Sequence, residues 1–377
     1  MIYFDNNATT PLLPEVAAVM REAETCFGNA GSVHAAGRDA RRLLNQAREE
    51  VAACFRAPEA AFVFTSGATE ALNAAMLGIF LPLSLPSHLI VSQVEHAALL
   101  KAADFLEGLG VEVSRIGVDA IGRIDPEAVA AELRPHTRLI AVMFANNEIG
   151  NLYPVKKIGE LARSRGVAFL CDAVQAVGRY EIDLSLLPID LLAASAHKFH
   201  GPKGVGFLYC RPGLKLTPWL HGGRQERGRR AGTENISGIV GLAAALKRVR
   251  SGLPERQRRI AALRDRLQAG LAERIPEVVF NGDAEFRTAG TLNFRTPQIS
   301  GETLLMNLDM AGIAVSVGAA CDSGSLEPSH VLTAMGQSEA EALEGLRVSL
   351  SELNTEAEVE EFLNILPKLI EKIRMAA

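Results

Sequence analysis

Short apolar runs recur along the first two thirds of the chain, and polar or glycine-containing turns follow most of them. Runs of four to eight apolar residues bounded by turn residues predict buried strands. The predicted strands are 61–65, 89–92, 111–116, 139–144, 168–171, 191–195 and 205–209.

Several of the intervals between these strands have the periodicity of amphipathic helices. In residues 40–55, apolar side chains recur every three or four positions, so they would share one face of a helix. Strands that alternate with helices predict an α/β fold, with a mostly parallel sheet covered on both faces. In such a sheet, functional groups gather at the carboxyl ends of the strands.

The pattern changes after a charged helical stretch at 255–271. Strands are predicted near 290–295, 313–316 and 347–350, and a last helix begins at Glu356. We therefore predict a large α/β domain at 13–255 and a smaller α+β domain at 256–377. Residues 1–12 could pack on either domain.

The composition is typical of a soluble globular protein, since 48% of residues are hydrophobic and 22% are charged. The net charge is −5, and no basic stripe is present to bind a nucleic-acid backbone directly. The first residues do not resemble a signal peptide. The apolar stretch 77–85 contains Pro82 and is too short to cross a membrane. A cytoplasmic protein is therefore expected.

Five cysteines are present, none in a C-x-x-C pair, which argues against a disulfide framework or a structural zinc site. Cys321 is the one in a Gly/Ser-rich segment, V-S-V-G-A-A-C-D-S-G-S-L-E-P-S-H. Such a composition predicts a flexible loop in which an exposed thiol could act as a nucleophile and then carry a product away. A tolerated surface cysteine is the alternative.

The sequence T-S-G-A-T-E-A at 65–71 lies between a predicted strand and a predicted helix. Backbone N–H groups at a helix N-terminus attract anions, and Gly67 would allow a close approach. Together with the Thr69 hydroxyl, this predicts a phosphate-binding turn. An ordinary capped helix start is the alternative.

Polar residues follow three successive predicted strands, at 146–148, 172–175 and 195–198. Lys198 follows a strongly apolar strand, so partial desolvation would lower its pKa and expose a nucleophilic amine. Asp172, at a neighbouring strand end, could hold a pyridine nitrogen protonated, as in pyridoxal-phosphate enzymes. His197 and His200 do not predict a metal site, because lysines adjoin them. His96 also follows a strand and could stack on a cofactor ring or act as an acid or base.

These motifs resemble those of the cysteine desulfurases, pyridoxal-phosphate enzymes of the class V aminotransferase superfamily, and most closely the group I (NifS/IscS-like) type. The resemblance runs nearly end to end. It rests on Y-F-D-N-N-A-T-T, T-S-G-A-T-E, V-E-H, N-N-E-I-G, D-A-V-Q, S-A-H-K-F-H-G-P-K-G, R-A-G-T-E-N, A-C-D-S-G-S-L-E-P-S-H-V-L and L-R-V-S-L.

The resemblance implies a type I pyridoxal-phosphate fold, a homodimer, L-cysteine as substrate and an iron–sulfur cluster scaffold as the usual sulfur acceptor. Lys198 would carry the cofactor, Asp172 would pair with the pyridine nitrogen, and His96 would stack over the ring. Cys321 would attack the substrate sulfur, and Arg347 would clamp the substrate carboxylate. The other implied contacts are Asn147 and Gln175 to the ring hydroxyl, Asn147 also to the substrate, Ala68, Thr69, Ser195 and His197 to the phosphate, and Thr233 to the phosphate of the other subunit.

Three departures from the family pattern are present. Asp322 stands where a threonine is usual, and a neighbouring carboxylate would raise the pKa of the Cys321 thiol. Ala30 and Gly31 replace a Pro-Ser pair, and Arg224 replaces a small residue. The alternatives within the superfamily are an aminotransferase and a selenocysteine lyase. Outside it, they are an inactive scaffold with this fold and a nucleotide-binding protein.

Overall fold

The computed structural model describes residues 1–318 and 327–376. Its main element is a seven-stranded sheet in the order β2-β8-β7-β6-β5-β3-β4. The strands formed by these residues are β1 Ile2–Tyr3, β2 Phe62–Thr65, β3 His88–Ser92, β4 Glu112–Ile116, β5 Thr137–Ala141, β6 Ala168–Asp172, β7 Leu191–Ser195, β8 Gly206–Cys210, β9 Val279–Asn281, β10 Thr291–Arg295, β11 Ile313–Ala314 and β12 Gly345–Ser349.

Helices cover both faces of this sheet and follow most of its strands. The helices of the described residues, including those of the C-terminal part, are α1 Pro14–Glu24, α2 Ala35–Phe55, α3 Ala68–Phe80, α4 Ala97–Gly108, α5 Pro126–Ala131, α6 Val155–Ser164, α7 Gln225–Gly228, α8 Ile236–Arg250, α9 Leu253–Arg274, α10 Gly301–Met310, α11 His330–Ala334, α12 Glu339–Leu343 and α13 Glu356–Ala376. Single 3₁₀ turns lie at Glu59–Ala61 and Ala196–Lys198.

Alternate side chains of the central strands enter two different cores, as expected for a sheet buried on both faces. In β7, Leu192 and Ala194 join the core that contains α2 and α8, whereas Leu191 and Ala193 join the core that contains α3 and α4. All five residues of β7 are buried. The continuous apolar run read from the sequence therefore corresponds to a strand without a solvent face.

The predicted strands agree with the observed ones, with small shifts at their ends. The largest shift is in the run predicted as 139–144, where β5 spans Thr137–Ala141. Beyond β5 the chain still runs beside β6, because the amides of Val142 and Phe144 donate to the carbonyls of Leu170 and Asp172 at 3.1 and 2.8 Å. Within this sheet β8 runs antiparallel to β2 and β7, and the other pairings are parallel.

The C-terminal third forms a smaller unit around the antiparallel sheet β12-β10-β9. Helices α9 and α13 pack on it through a separate apolar core. The N-terminal residues contribute to that core, since Ile2 and Phe4 are buried there and β1 pairs in parallel with β11. We retain the division at 255/256 as a proposal. None of the described helices has the length and apolarity needed to span a membrane.

Candidate active site

A cavity of about 870 Å³ opens at the carboxyl edge of the large sheet and is closed on the other side by the smaller unit. Ten of the twelve residues predicted from the sequence line it. They are Ala68, Thr69, His96, Asn147, Asp172, Gln175, Ser195, His197, Lys198 and Arg347. Thr233 lines a neighbouring cavity of about 110 Å³ that shares Ser66 and Gly204 with the large one. Cys321 and Asp322 lie outside the described residues.

Lys198 ends the 3₁₀ turn that follows β7, and this turn directs its amine into the cavity. The Nζ atom donates to the backbone carbonyls of Asn7 and Ala8 at 2.6 and 2.8 Å. Burial, and then the positive charges of Arg347 and Arg179, lower the pKa of Lys198 from 10.5 to about 8. The amine is therefore a far better nucleophile near neutral pH than an exposed lysine.

Asp172 is the last residue of β6, one strand away from Lys198. It is buried, and its Oδ1 accepts from the amide of Val174 at 2.9 Å. Burial raises the pKa of this carboxyl, against the opposing effects of that hydrogen bond and of nearby His96 and Lys198. A cationic ring nitrogen placed against Asp172 would favour its ionised form.

His96 caps the N-terminus of α4, where its Nδ1 accepts from the amide of Ala98 at 3.1 Å. This bond assigns the ring proton of the neutral form to Nε2. Burial lowers the pKa of His96, so the neutral imidazole is favoured at physiological pH. The ring can therefore donate one proton at Nε2 or take one up at Nδ1 after local rearrangement.

The predicted phosphate-binding turn lies at the N-terminus of α3, with Gly67 as the cap residue. The first amides of a helix have no intrahelical partner and carry the positive end of the helix dipole. The turn packs directly on β8, because a Cβ atom added to Gly206 would lie 2.4 Å from the Ala194 carbonyl oxygen and 2.8 Å from the Gly67 Cα. Ser195 Oγ borders the same turn.

Glu70, in the first turn of α3, partly compensates the positive end of the helix dipole. Its Oε2 accepts from the amide of Ser66 at 2.7 Å, and Arg230 binds both carboxylate oxygens at 2.8 and 3.1 Å. Burial works to raise the pKa of Glu70, but the hydrogen bonds from Arg230 and Ser66 outweigh it and lower the pKa. Glu70 is thus engaged by a cation, and the turn can still receive an anion.

His197 is the remaining residue predicted at the phosphate. Its Nδ1 lies 3.1 Å from the Thr9 hydroxyl. Burial, followed by the charges of Lys198 and Lys203, lowers its pKa to about 4. The ring is therefore neutral at physiological pH and would act as a hydrogen-bonding group rather than as a counter-charge.

Gln175, which lines the cavity together with Asp172, has a buried acceptor that is free of hydrogen bonds within the described residues. Gln175 donates through Nε2 to the Asn7 carbonyl at 3.0 Å, whereas its Oε1 has no partner among residues 1–318 and 327–376. Buried polar atoms are rarely left in this state. A ring hydroxyl in the cavity would satisfy this oxygen.

Arg347 lies on β12, and its side chain reaches the cavity from the smaller unit. Nη2 contacts Asp5 Oδ1 at 2.7 Å, and Nη1 donates to the Asn147 carbonyl at 3.0 Å. The Nε atom is buried and has no partner within the described part of the chain. The guanidinium is thus held in one orientation, and a fork of donors of this kind suits a carboxylate.

These residues fit pyridoxal phosphate in kind. A lysine amine of lowered pKa, a buried carboxylate, an unpaired acceptor and a helix N-terminus would serve its aldehyde, ring nitrogen, ring hydroxyl and phosphate, respectively. The residues that sequence reasoning missed are Asn7 and Ala8, which bind Lys198 through backbone carbonyls, and Asp5, which binds Arg347. These residues lie in the motif D-N-N-A-T-T, which is recognisable in the sequence, but the sequence does not show which residues the motif contacts.

Comparisons with known proteins agree with this reading. The family model described as Aminotransferase class-V matches residues 2–362. "Cysteine desulfurase IscS" of Methanosarcina thermophila is 44% identical over 375 residues, which cover 99% of this chain and 93% of that protein.

Two solved structures show the same similarity. A NifS-like protein superposes with a TM-score of 0.92 at 34% identity, covering 98% of this chain and 99% of that one. The structure described as SspA in complex with cysteine superposes with a TM-score of 0.81 at 34% identity, covering 93% and 99% of the two chains.

The chain therefore belongs to the aminotransferase class V family. Within it, the chain groups with the pyridoxal-phosphate-dependent cysteine desulfurases of the IscS/NifS type. The predicted fold class, cofactor and type of activity are confirmed.

Proposed function

We propose that this chain converts L-cysteine to L-alanine and passes the sulfur to Cys321 as a persulfide, from which a scaffold of iron–sulfur cluster assembly receives it. The observation that carries the proposal is the Lys198 amine. Its pKa is lowered to about 8, and it lies in one cavity with Asp172 and the N-terminus of α3. These residues could support several pyridoxal-phosphate reactions, and the full-length similarity to cysteine desulfurases favours the desulfuration of cysteine among them.

The residues that would hold the cofactor follow from the contacts described above. Lys198 would attach to its aldehyde carbon, and Asp172 would pair with the ring nitrogen beneath a stacked His96. Pyridoxal phosphate, when bound, supplies a conjugated ring that accepts the electron pair left when the Cα proton departs. The remaining contacts would be Gln175 and Asn147 at the ring hydroxyl and Ala68, Thr69, Ser195 and His197 at the phosphate.

The substrate would be oriented by Arg347, whose donors are fixed by Asp5 and by the Asn147 carbonyl. The Lys198 amine, when it is not attached to the cofactor, would remove the Cα proton of the substrate. An amine with a pKa of about 8 can both accept a proton and release it near neutral pH. His96, neutral and exposed on the cavity wall, would provide a second site for proton transfer near the thiol.

In the sulfur transfer, the Cys321 thiolate attacks the substrate sulfur. An S–S bond forms and the C–S bond breaks, with the electron pair of that bond remaining on the substrate side. The carbon that loses sulfur takes up a proton, and alanine leaves. The sum is one cysteine and one thiol giving one alanine and one persulfide, so no external oxidant or reductant is needed.

Further parts of the proposal concern assembly and location. We propose a cytoplasmic homodimer in which Thr233 contacts the phosphate bound by the other subunit. Thr233 lies outside the large cavity of its own chain, which supports a role in a partner's site. Mixing the Thr233→Ala and Lys198→Ala variants should restore activity in hybrid dimers, since one of their two sites has both residues. Mixtures no more active than their components would contradict this arrangement.

The main experiment measures alanine and sulfide released from L-cysteine in the presence of a thiol reductant. We expect equal amounts from the wild type and neither from Cys321→Ala or Lys198→Ala. Cys26→Ala is the matched control, because Cys26 is a half-buried thiol outside the cavity, and it should behave as wild type. Full activity of Cys321→Ala would refute the persulfide, and a keto-acid product would indicate an aminotransferase.

A further inference from the structure

The mechanism above leaves Glu148 without a role, although it lines the cavity and only 3% of it is exposed. It follows Asn147 in a tight turn that Asn146 holds. Asn146 Oδ1 accepts from the amides of Glu148 and Ile149 at 2.8 and 3.0 Å. The backbone of Glu148 is therefore fixed, and its side chain has little freedom to leave its observed position.

The Glu148 carboxylate contacts two short segments of the chain that are both far from it in the sequence. Its Oε2 accepts from the Ser329 hydroxyl at 2.5 Å. Ser329 is buried and is itself the N-cap of α11, where its Oγ accepts from the amide of Leu332 at 3.2 Å. One serine hydroxyl thus connects the start of α11 to the cavity wall.

Gly318 brings the other segment to the same point. A Cβ atom added to Gly318 would lie 2.8 Å from the Ser329 Cβ and 3.5 Å from Glu148 Oε2. Gly318 and Ser329 are therefore in direct contact, and both lie against the Glu148 carboxylate. These two residues flank, on either side, the stretch of chain in which Cys321 occurs.

The turn that carries Glu148 also contacts the substrate side of the cavity. The Asn147 carbonyl accepts from Arg347 Nη1 and from Asn7 Nδ2, each at 3.0 Å. Asn7, in turn, accepts from Lys198 through its own carbonyl at 2.6 Å. A single turn is thus hydrogen-bonded to the proposed carboxylate clamp on one side and to Ser329 on the other, where Gly318 packs against the same carboxylate.

We infer that Glu148 is a positioning residue for sulfur transfer: it holds Gly318 and Ser329 against the cavity wall and so sets where the stretch bearing Cys321 begins and ends relative to the substrate. The inference rests on the proposed function of Cys321. Errors of about 1 Å in the placement of a reacting group can reduce a rate by about 100-fold. Glu148 should therefore affect the transfer step without affecting the binding of cofactor or substrate.

The test uses holoenzyme and four variants. Glu148→Ala removes the acceptor, whereas Glu148→Gln keeps the size and one acceptor oxygen for Ser329. Ser329→Ala removes the donor. Ser338→Ala is the matched control, because Ser338 caps the short helix α12 by the same kind of bond, but with Glu341 as partner.

In single turnovers with L-cysteine, we expect the rate of persulfide formation to fall by about 10- to 100-fold in Glu148→Ala and Ser329→Ala. The Glu148→Gln variant should lose less than about tenfold. The double variant should be no slower than the worse single one, since both remove the same bond. The absorbance of bound cofactor and the affinity for L-cysteine, read from the change in that absorbance, should be unchanged.

Two results would overturn the inference. One is a persulfide rate in Glu148→Ala that equals the wild type. The other is an equal loss in Ser338→Ala, or a parallel loss of cofactor absorbance, because either would indicate a general effect on folding. Failure of the proposed function looks different: Cys321→Ala would then keep full alanine production, whatever the behaviour of the Glu148 variants.

Discussion

The lowered pKa of Lys198 gives a prediction that can be measured without turnover. Burial and the charges of Arg347 and Arg179 all favour the neutral amine, which places its pKa at about 8 rather than 10.5. At pH 7, about one tenth of the amine is then deprotonated, compared with about 0.03% for an ordinary lysine. The reactive fraction is therefore about 300-fold larger than in an exposed side chain.

A substitution at Arg179 should change the pKa of Lys198 without altering the large cavity. Arg179 lies with Lys198 on a separate small cavity of about 40 Å³ and does not line the large one. Replacing it by glutamine removes a positive charge that disfavours protonated Lys198, so the pKa of Lys198 should rise and the reactive fraction at pH 7 should fall. Arg179→Lys keeps the charge and serves as the matched control.

The assay is the rate at which apoprotein attaches pyridoxal phosphate, followed by absorbance between about pH 6 and 10. Nα-acetyl-lysine, which reacts through an ordinary amine, corrects for the titration of the cofactor itself. We expect the wild-type rate to level off above a midpoint near the pKa of about 8. The Arg179→Gln midpoint should be higher, and the Arg179→Lys midpoint close to wild type. A wild-type midpoint near 10, or a glutamine variant that shifts downward, would refute the reasoning.

Three further predictions concern binding and stability. Gln175→Leu removes the unpaired Oε1 and should weaken cofactor affinity by about 5- to 10-fold, as measured by cofactor release during dialysis; unchanged affinity would mean that the oxygen is satisfied otherwise. Gly206→Ala should cost about 1–3 kcal/mol in urea unfolding because its Cβ would meet backbone, whereas Gly108→Ala, with nothing within 4 Å, should cost nothing; equal effects would contradict the close packing. Glu226→Ala leaves buried Arg48 without its carboxylate partner, whose oxygen lies 2.6 Å from Nη2, and should cost about 3–5 kcal/mol; a loss below about 1 kcal/mol would show that water replaces the pair.

Most strands of the large sheet were predictable because they are apolar runs that are buried on both faces of the sheet; the edge strand β4, which is partly exposed, is the exception. β7 shows this most clearly, with all of its residues buried and its ends as predicted. The end of β5 was less predictable, since Val142 and Phe144 continue to bond to the neighbouring chain after the regular strand stops. An apolar pattern reports burial, and burial does not end where regular hydrogen bonding does.

The candidate site also contains residues that the sequence identified and residues that it did not. Lys198, Asp172 and the turn before α3 were identified because each motif follows its own strand, and parallel strands bring their carboxyl ends to one edge. The contacts of the N-terminal residues were not identifiable in this way. Asp5 and Arg347 are 342 positions apart and form an ion pair of 2.7 Å, although nothing local in either segment indicates the other.

What the sequence determined by itself was the order of strands and helices, the residue types at the strand ends and the family to which they belong. These depend on local periodicity and on short motifs, both of which can be read along the chain. The tertiary structure alone decided that Glu148 meets Ser329 across 181 positions and that the Lys198 amine is partly desolvated between Asn7 and Ala8. The physical reason is that hydrogen-bond partners and desolvation depend on which segments pack together, and packing joins residues whose separation along the chain carries no signal.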